Sequence, residues 1–178
     1  LVQFCPGPKR ILEPSAGAGA FVRAVRQVWP DAHLTAVELR GEEHDSLVAS
    51  GADQVVIDEF KKFLMASLLS EPVLVVGNPP YSLAQEHIML LLDYLPPGSL
   101  IAFLLKLGFM GTKDRADLLW KQGQCHYIKP ILGRPSFVKG GQSTSDVNEY
   151  GLFVWEVGYT GPTIVHWPHI RWKEKEHS

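Results

Sequence analysis

The chain has 178 residues, 46% of them hydrophobic and 20% charged, with a net charge of −2. Such a balance is that of one soluble globular domain with a sizeable core, and it gives no overall attraction to polyanions. No apolar run approaches the roughly 20 residues of a membrane span, and Cys5 and Cys125 lack the neighbours of a disulfide scaffold or a zinc site, so reduced thiols in a cytoplasmic protein without a bound metal are expected.

Strand and helix patterns alternate along the chain. Lys9 to Glu13 reads as a strand, Ala18 to Val28 as a helix stopped by Pro30, His33 to Leu39 as a strand, and Glu42 to Ala49 as a helix stopped by Gly51. Gln54 to Ile57 and Val73 to Val76 are strands flanking a helix from Phe60 to Leu69. Ser82 to Leu95 is a helix, with Ser82 as N-cap and Gln85 as its capping-box partner. Leu100 to Leu105 is a strand and Thr112 to Lys121 a helix, followed by strands His126 to Leu132 and Gly151 to Val157. Between these two the polar, Gly-rich stretch Gly133 to Tyr150 reads as a mobile loop, and Ile164 to Trp172 as an edge strand or extended tail. Five strand-helix units in succession predict an α/β fold with a mainly parallel sheet covered on both faces. The two closing strands predict an antiparallel hairpin at one edge. In such a sheet, ligands gather at the carboxyl ends of the strands.

Four of those strand ends carry candidate chemistry. The first ends in Glu13-Pro14-Ser15-Ala16-Gly17-Ala18-Gly19, where glycines permit a tight turn and close ligand approach. Val22 stands where a dinucleotide fingerprint needs its third glycine, and no P-loop Gly-Lys-Ser/Thr follows, so phosphate-rich cofactors are disfavoured. The second ends in Glu38-Leu39, about 20 residues beyond the glycines, where a carboxylate can accept from both ribose hydroxyls. The third ends in Asp58-Glu59-Phe60, with Asp58 able to accept from an adenine amine and Phe60 to flank its ring. The fourth ends in Asn78-Pro79-Pro80-Tyr81, a stiff corner whose amide oxygen and free carbonyls can grip a planar amine while the ring stacks on its face. Charge is unevenly spread: net −5 over residues 1–105, +5 over 106–141 and −2 over 142–178. The middle segment is therefore a candidate phosphate-facing surface.

In this order and spacing the motifs resemble those of amino-methyltransferases that use S-adenosylmethionine, above all the adenine-N6 DNA methyltransferases, over roughly residues 9–157. The resemblance implies a single Rossmann-like domain with a seven-stranded, mostly parallel sheet. It implies a cofactor site of Glu13, Pro14, Ser15, Ala16, Gly17, Gly19, Glu38, Leu39, Asp58, Phe60 and Asn78. Asn78, Pro79, Pro80 and Tyr81 match the catalytic tetrapeptide, and Phe137 is the candidate aromatic for the opposite face of the target base.

The implied mechanism is direct in-line transfer, with the Asn78 amide oxygen and the Pro79 carbonyl accepting both amine hydrogens. The implied partner is DNA, with its target base flipped out. The sequence departs from the family in having no evident target-recognition region. Recognition is then rudimentary, supplied by a partner subunit, carried by a segment outside this sequence, or aimed at something other than duplex DNA. Protein glutamine amides, RNA amines and a non-catalytic cofactor-binding role are the competing readings.

Overall fold

The computed structural model describes residues 5–120, 124–131, 136–139, 142–145 and 148–167, the runs 136–139 and 142–145 by backbone alone. Strands β1 (Arg10–Glu13), β2 (His33–Glu38), β3 (Gln54–Ile57), β4 (Leu74–Gly77) and β5 (Leu100–Lys106) alternate with helices α1 (Ala20–Val28), α2 (His44–Ala49), α3 (Phe60–Ala66) and α4 (Ala84–Tyr94). Helix α5 (Lys113–Arg115) widens into a π-turn over Ala116–Trp120. Strands β6 (Cys125–Pro130), β7 (Ser136–Lys139), β8 (Gln142–Ser145), β9 (Tyr150–Glu156) and β10 (Ile164–Val165) follow.

The main sheet runs β10-β6-β9-β5-β4-β1-β2-β3. Strands β1 to β5 are mutually parallel, and β9 lies antiparallel between β5 and β6. Strand order reverses between β1 and β4, which opens a crevice at their carboxyl ends. Alternation along the strands divides the core into two layers: Leu12 and Val75 face α3 and α4, while Ile11, Leu74 and Val76 face α1 and α2. Each fully buried aliphatic side chain contributes about 1.5–3 kcal/mol to holding these layers. Beyond β5, Phe109, Trp120, Phe153 and Trp155 form an aromatic cluster, with the Trp120 and Trp155 rings stacked at 5.9 Å.

Several sequence expectations are corrected. The sheet has eight strands rather than seven, because the edge strand expected from Ile164 forms as β10 and pairs parallel with β6. The α4 helix begins at Ala84, after Leu83, and has no side-chain cap, so Ser82 and Gln85 form no capping box. Instead the Leu83 N–H donates to the Pro80 carbonyl at 2.8 Å, and this turn uses up the residues assigned to the first helical turn. The Thr112 helix is a single short turn that opens into wider geometry. Within the stretch read as a loop, β7 and β8 pair antiparallel from Ser136↔Ser145 to Lys139↔Gln142. The tail beyond Trp167 lies outside the described residues.

Candidate active site

The glycine turn is built on β1 and locked against β2. Gly17 and Gly19 both have positive φ, 52° and 79°. The Ala16 N–H donates to the Val37 carbonyl at 3.0 Å, and the Gly17 N–H donates to Glu38 Oε2 at 2.7 Å. The other Glu38 oxygen accepts from the Arg40 backbone N–H at 3.1 Å and from Arg40 Nε at 3.0 Å. Burial pushes the Glu38 carboxyl up, but the Arg40 guanidinium and the Gly17 and Arg40 N–H groups outweigh it and hold the group below its ordinary value. Glu38 is therefore an ionised acceptor fixed in place at the end of β2.

Glu13 behaves in the opposite way. It is 2% exposed, and its Oε2 has no hydrogen-bond partner among the described residues. Burial, and next the neighbouring Glu38 charge, push its carboxyl well above the ordinary value, only partly opposed by the Val22 N–H and Arg23. Glu13 is therefore a buried carboxyl at the end of β1 whose surroundings favour its neutral form.

Pro14, Ser15, Glu38, Leu39, Asp58, Phe60 and Pro80 line one cleft of about 290 Å³, so residues from all four strand ends converge there. Glu13, Ala16, Gly17, Gly19 and Asn78 are not among the residues that line it. Leu39 is 71% exposed, an apolar surface beside the ribose-competent carboxylate. Asp58 is also exposed, and its Oδ1 accepts the Glu59 N–H at 2.7 Å. Among the wall residues that sequence reasoning missed are Arg40 and His87. The His87 ring lies 4.8 Å from that of Phe60, and burial lowers its pKa, so it presents a neutral imidazole. A histidine on the buried face of α4 looks like packing in sequence, and the signal for Arg40 was only its closeness to Glu38.

Asn78 follows β4 directly. A side chain on Gly77 would meet Pro14 Cδ at 3.6 Å and Glu13 Cγ at 3.7 Å, so the tetrapeptide and the glycine turn start side by side. Asn78 Oδ1 is buried and has no hydrogen-bond partner among the described residues. Tyr81 is half-buried, 6.1 Å from the Tyr150 ring, with Lys106 Nζ 5.0 Å from its centre. Its ring separates two more clefts. One, of about 300 Å³, is walled by Lys106, Phe109, Arg115, Asn148 and Glu149. The other, of about 550 Å³, is walled by Ser82, Gln85, Glu86 and again Arg115. Phe137 falls on β7, paired with Thr144, and its side chain lies outside the described residues.

The same architecture occurs in solved structures. A predicted O-methyltransferase from Agrobacterium tumefaciens aligns with a TM-score of 0.64 at 20% identity, covering 95% of this chain and 83% of its own. The precorrin-6y C5,15-methyltransferase of Geobacter metallireducens aligns at 0.59 and 16% identity, covering 84% of this chain and 81% of its own. The fold is that of class I methyltransferases. A candidate class I S-adenosylmethionine-dependent methyltransferase from Listeria monocytogenes aligns at 0.57 and 18% identity over 93% of this chain, which spans 60% of the Listeria protein's length. No protein-family model matches the chain, and no curated protein matches it in sequence. In their descriptions these methyltransferase-fold proteins act on oxygen in one case and on a precorrin in another, so the fold leaves the acceptor open.

Proposed function

We propose that this chain binds S-adenosylmethionine and transfers its methyl group to the N6 amine of adenine in DNA. The observation that carries this reading is Asn78 Oδ1, a buried acceptor with no partner among the described residues, placed next to the glycine turn. A buried amide oxygen left unpaired costs about 1–3 kcal/mol, a cost that a donor from an acceptor amine would remove. The cofactor cleft fits a nucleoside: Glu38 suits ribose hydroxyls, Asp58 an adenine amine, and Leu39, Phe60 and Pro80 the faces of the ring.

S-adenosylmethionine supplies an electrophilic methyl on a sulfonium. This chain's residues do the rest. Asn78 Oδ1 and the Pro79 carbonyl accept the two amine hydrogens and turn the nitrogen lone pair out of conjugation with the ring. Tyr81 stacks on the base and offsets part of the roughly few kcal/mol needed to extrude it from a duplex. Phe137 is the proposed aromatic for the other face. Catalysis then rests on positioning and electrostatics, with no covalent enzyme intermediate.

Transfer of labelled methyl from S-adenosylmethionine to DNA, RNA and protein, assayed in parallel, tests the reading. Label in DNA adenine is expected; label in protein alone would overturn it. Asn78→Ala should lower turnover by about 100-fold or more while keeping cofactor affinity, and full turnover in that variant would remove the amine-gripping role.

A further inference from the structure

The Tyr81 wall carries a cation that methyl transfer does not use. Arg115, at the end of α5, lines both clefts that meet at Tyr81. Its guanidinium carbon lies 4.1 Å from the centre of the Phe109 ring, and one terminal nitrogen donates to the Phe109 carbonyl at 3.1 Å. Among the described residues Nε is buried without a hydrogen-bond partner and no carboxylate pairs with the group. Stacked and half out of water, this guanidinium is held in one orientation, with carboxylates in both cleft walls but none in a salt bridge with it among the described residues. Partial burial of an unpaired cation is unfavourable alone and becomes favourable against an anion that matches the guanidinium fork. The ammonium of Lys106 stands over Tyr81 in the same cleft, and Glu149 is the carboxylate in that wall.

We infer that Arg115 grips a backbone phosphate of a polynucleotide, the one flanking the nucleotide whose base lies against Tyr81. The inference rests on the base-methylation reading and adds that the acceptor is held through strand charge as well as through its base. A nucleotide brings its phosphate within a few bonds of the ring, whereas a protein glutamine brings no anion to that place. The same phosphate chemistry exists in DNA and RNA.

The test is fluorescence anisotropy of the full chain with a short labelled single-stranded DNA containing one adenine, and with RNA of the same sequence, over a range of salt. Arg115→Ala should weaken binding by about 10-fold or more and reduce the slope of log affinity against log salt by about 0.7–1. Arg115→Lys should restore the slope but only part of the affinity, because it keeps the charge and loses the fork. Titration with S-adenosylmethionine reports folding in each variant, and Arg115→Lys carries the test if Arg115→Ala fails to bind cofactor. The strand showing the larger loss is the one that supplies the phosphate. Unchanged affinity and slope, with wild-type methylation of DNA adenine intact, would overturn the phosphate assignment and leave base methylation standing. No binding to either strand, with label entering a glutamine peptide, would overturn both.

Discussion

Glu38→Gln tests the cofactor side at its most constrained group. Glu38 accepts from Gly17 through one oxygen and from Arg40 twice through the other. Glutamine offers one oxygen and one NH2, so in either orientation an NH2 faces an N–H. If the oxygen stays on Arg40, the Gly17 N–H loses its acceptor; if it turns to Gly17, the guanidinium does. A donor stranded in this way costs about 1–3 kcal/mol, which lowers the melting temperature by about 2–12 °C for a chain of this size. One charge-assisted bond to the ribose is lost as well, about 1.5–3 kcal/mol or 10- to 150-fold in affinity. Calorimetric titration with S-adenosylmethionine and thermal melts measure the two effects separately. An unchanged dissociation constant would remove Glu38 as the ribose acceptor, and an unchanged melt would remove its role in pinning the glycine turn. Acid provides a sign check. The folded-state pKa of Glu38 is lowered, so its stabilisation is present above the unfolded value of roughly 4.3 and fades as pH falls through the folded one. The gap between wild type and Glu38→Gln should therefore narrow in acid.

Three further outcomes are expected. Gly19→Ala forces a side chain into left-handed backbone, against Ser50 Oγ and 2.8 Å from Ser50 Cβ. Strain of about 1–2 kcal/mol plus overpacking of about 1–3 kcal/mol should lower the urea midpoint at constant m-value, and a wild-type midpoint would refute it. Glu13→Gln should melt higher than wild type at neutral pH. The raised pKa of Glu13 means its contribution to stability is fullest below the unfolded value and is lost as pH rises. The advantage should therefore shrink in acid, and a gap independent of pH would contradict the raised carboxyl pKa. Cys125 is 1% exposed, with its thiol pushed up to about 12 by burial. Iodoacetamide should modify the half-buried Cys5 before Cys125 in the folded chain, and the reverse order would be inconsistent with this packing.

The parallel half of the fold was legible because its strands are short apolar runs ended by turn residues, as in Val73 to Gly77 before Asn78. The site was legible for a related reason: its residues come from strand ends, and alternation of strands with helices brings strand ends together. What sequence left hidden depends on competition between local and tertiary bonds. Ser82 and Gln85 satisfy a capping pattern, yet the Pro80 carbonyl takes the Leu83 N–H and starts the helix later. The β7–β8 pair was read as a loop because Gln142 to Ser145 is wholly polar, although Gly140-Gly141 between two short runs is itself a hairpin signal. Arg40 and His87 looked like ordinary surface or packing residues, and Arg115 was legible only as one charge of the basic segment 106–141, since only the folded chain brings each of them to a cleft wall.

The pairing of β1 with β4, Ile11↔Leu74 and Leu12↔Val75, runs straight toward the glycine turn on one strand and Asn78 on the other. Adjacent strands are spaced about 4.8 Å apart by their backbone hydrogen bonds. The separation between the glycine turn and Asn78 is thus set by the ladder of the sheet, two residues upstream of the loop on β1 and three on β4. In the proposed reaction the loops could be exchanged, and with them the acceptor, while the span the methyl group must cross stayed the same.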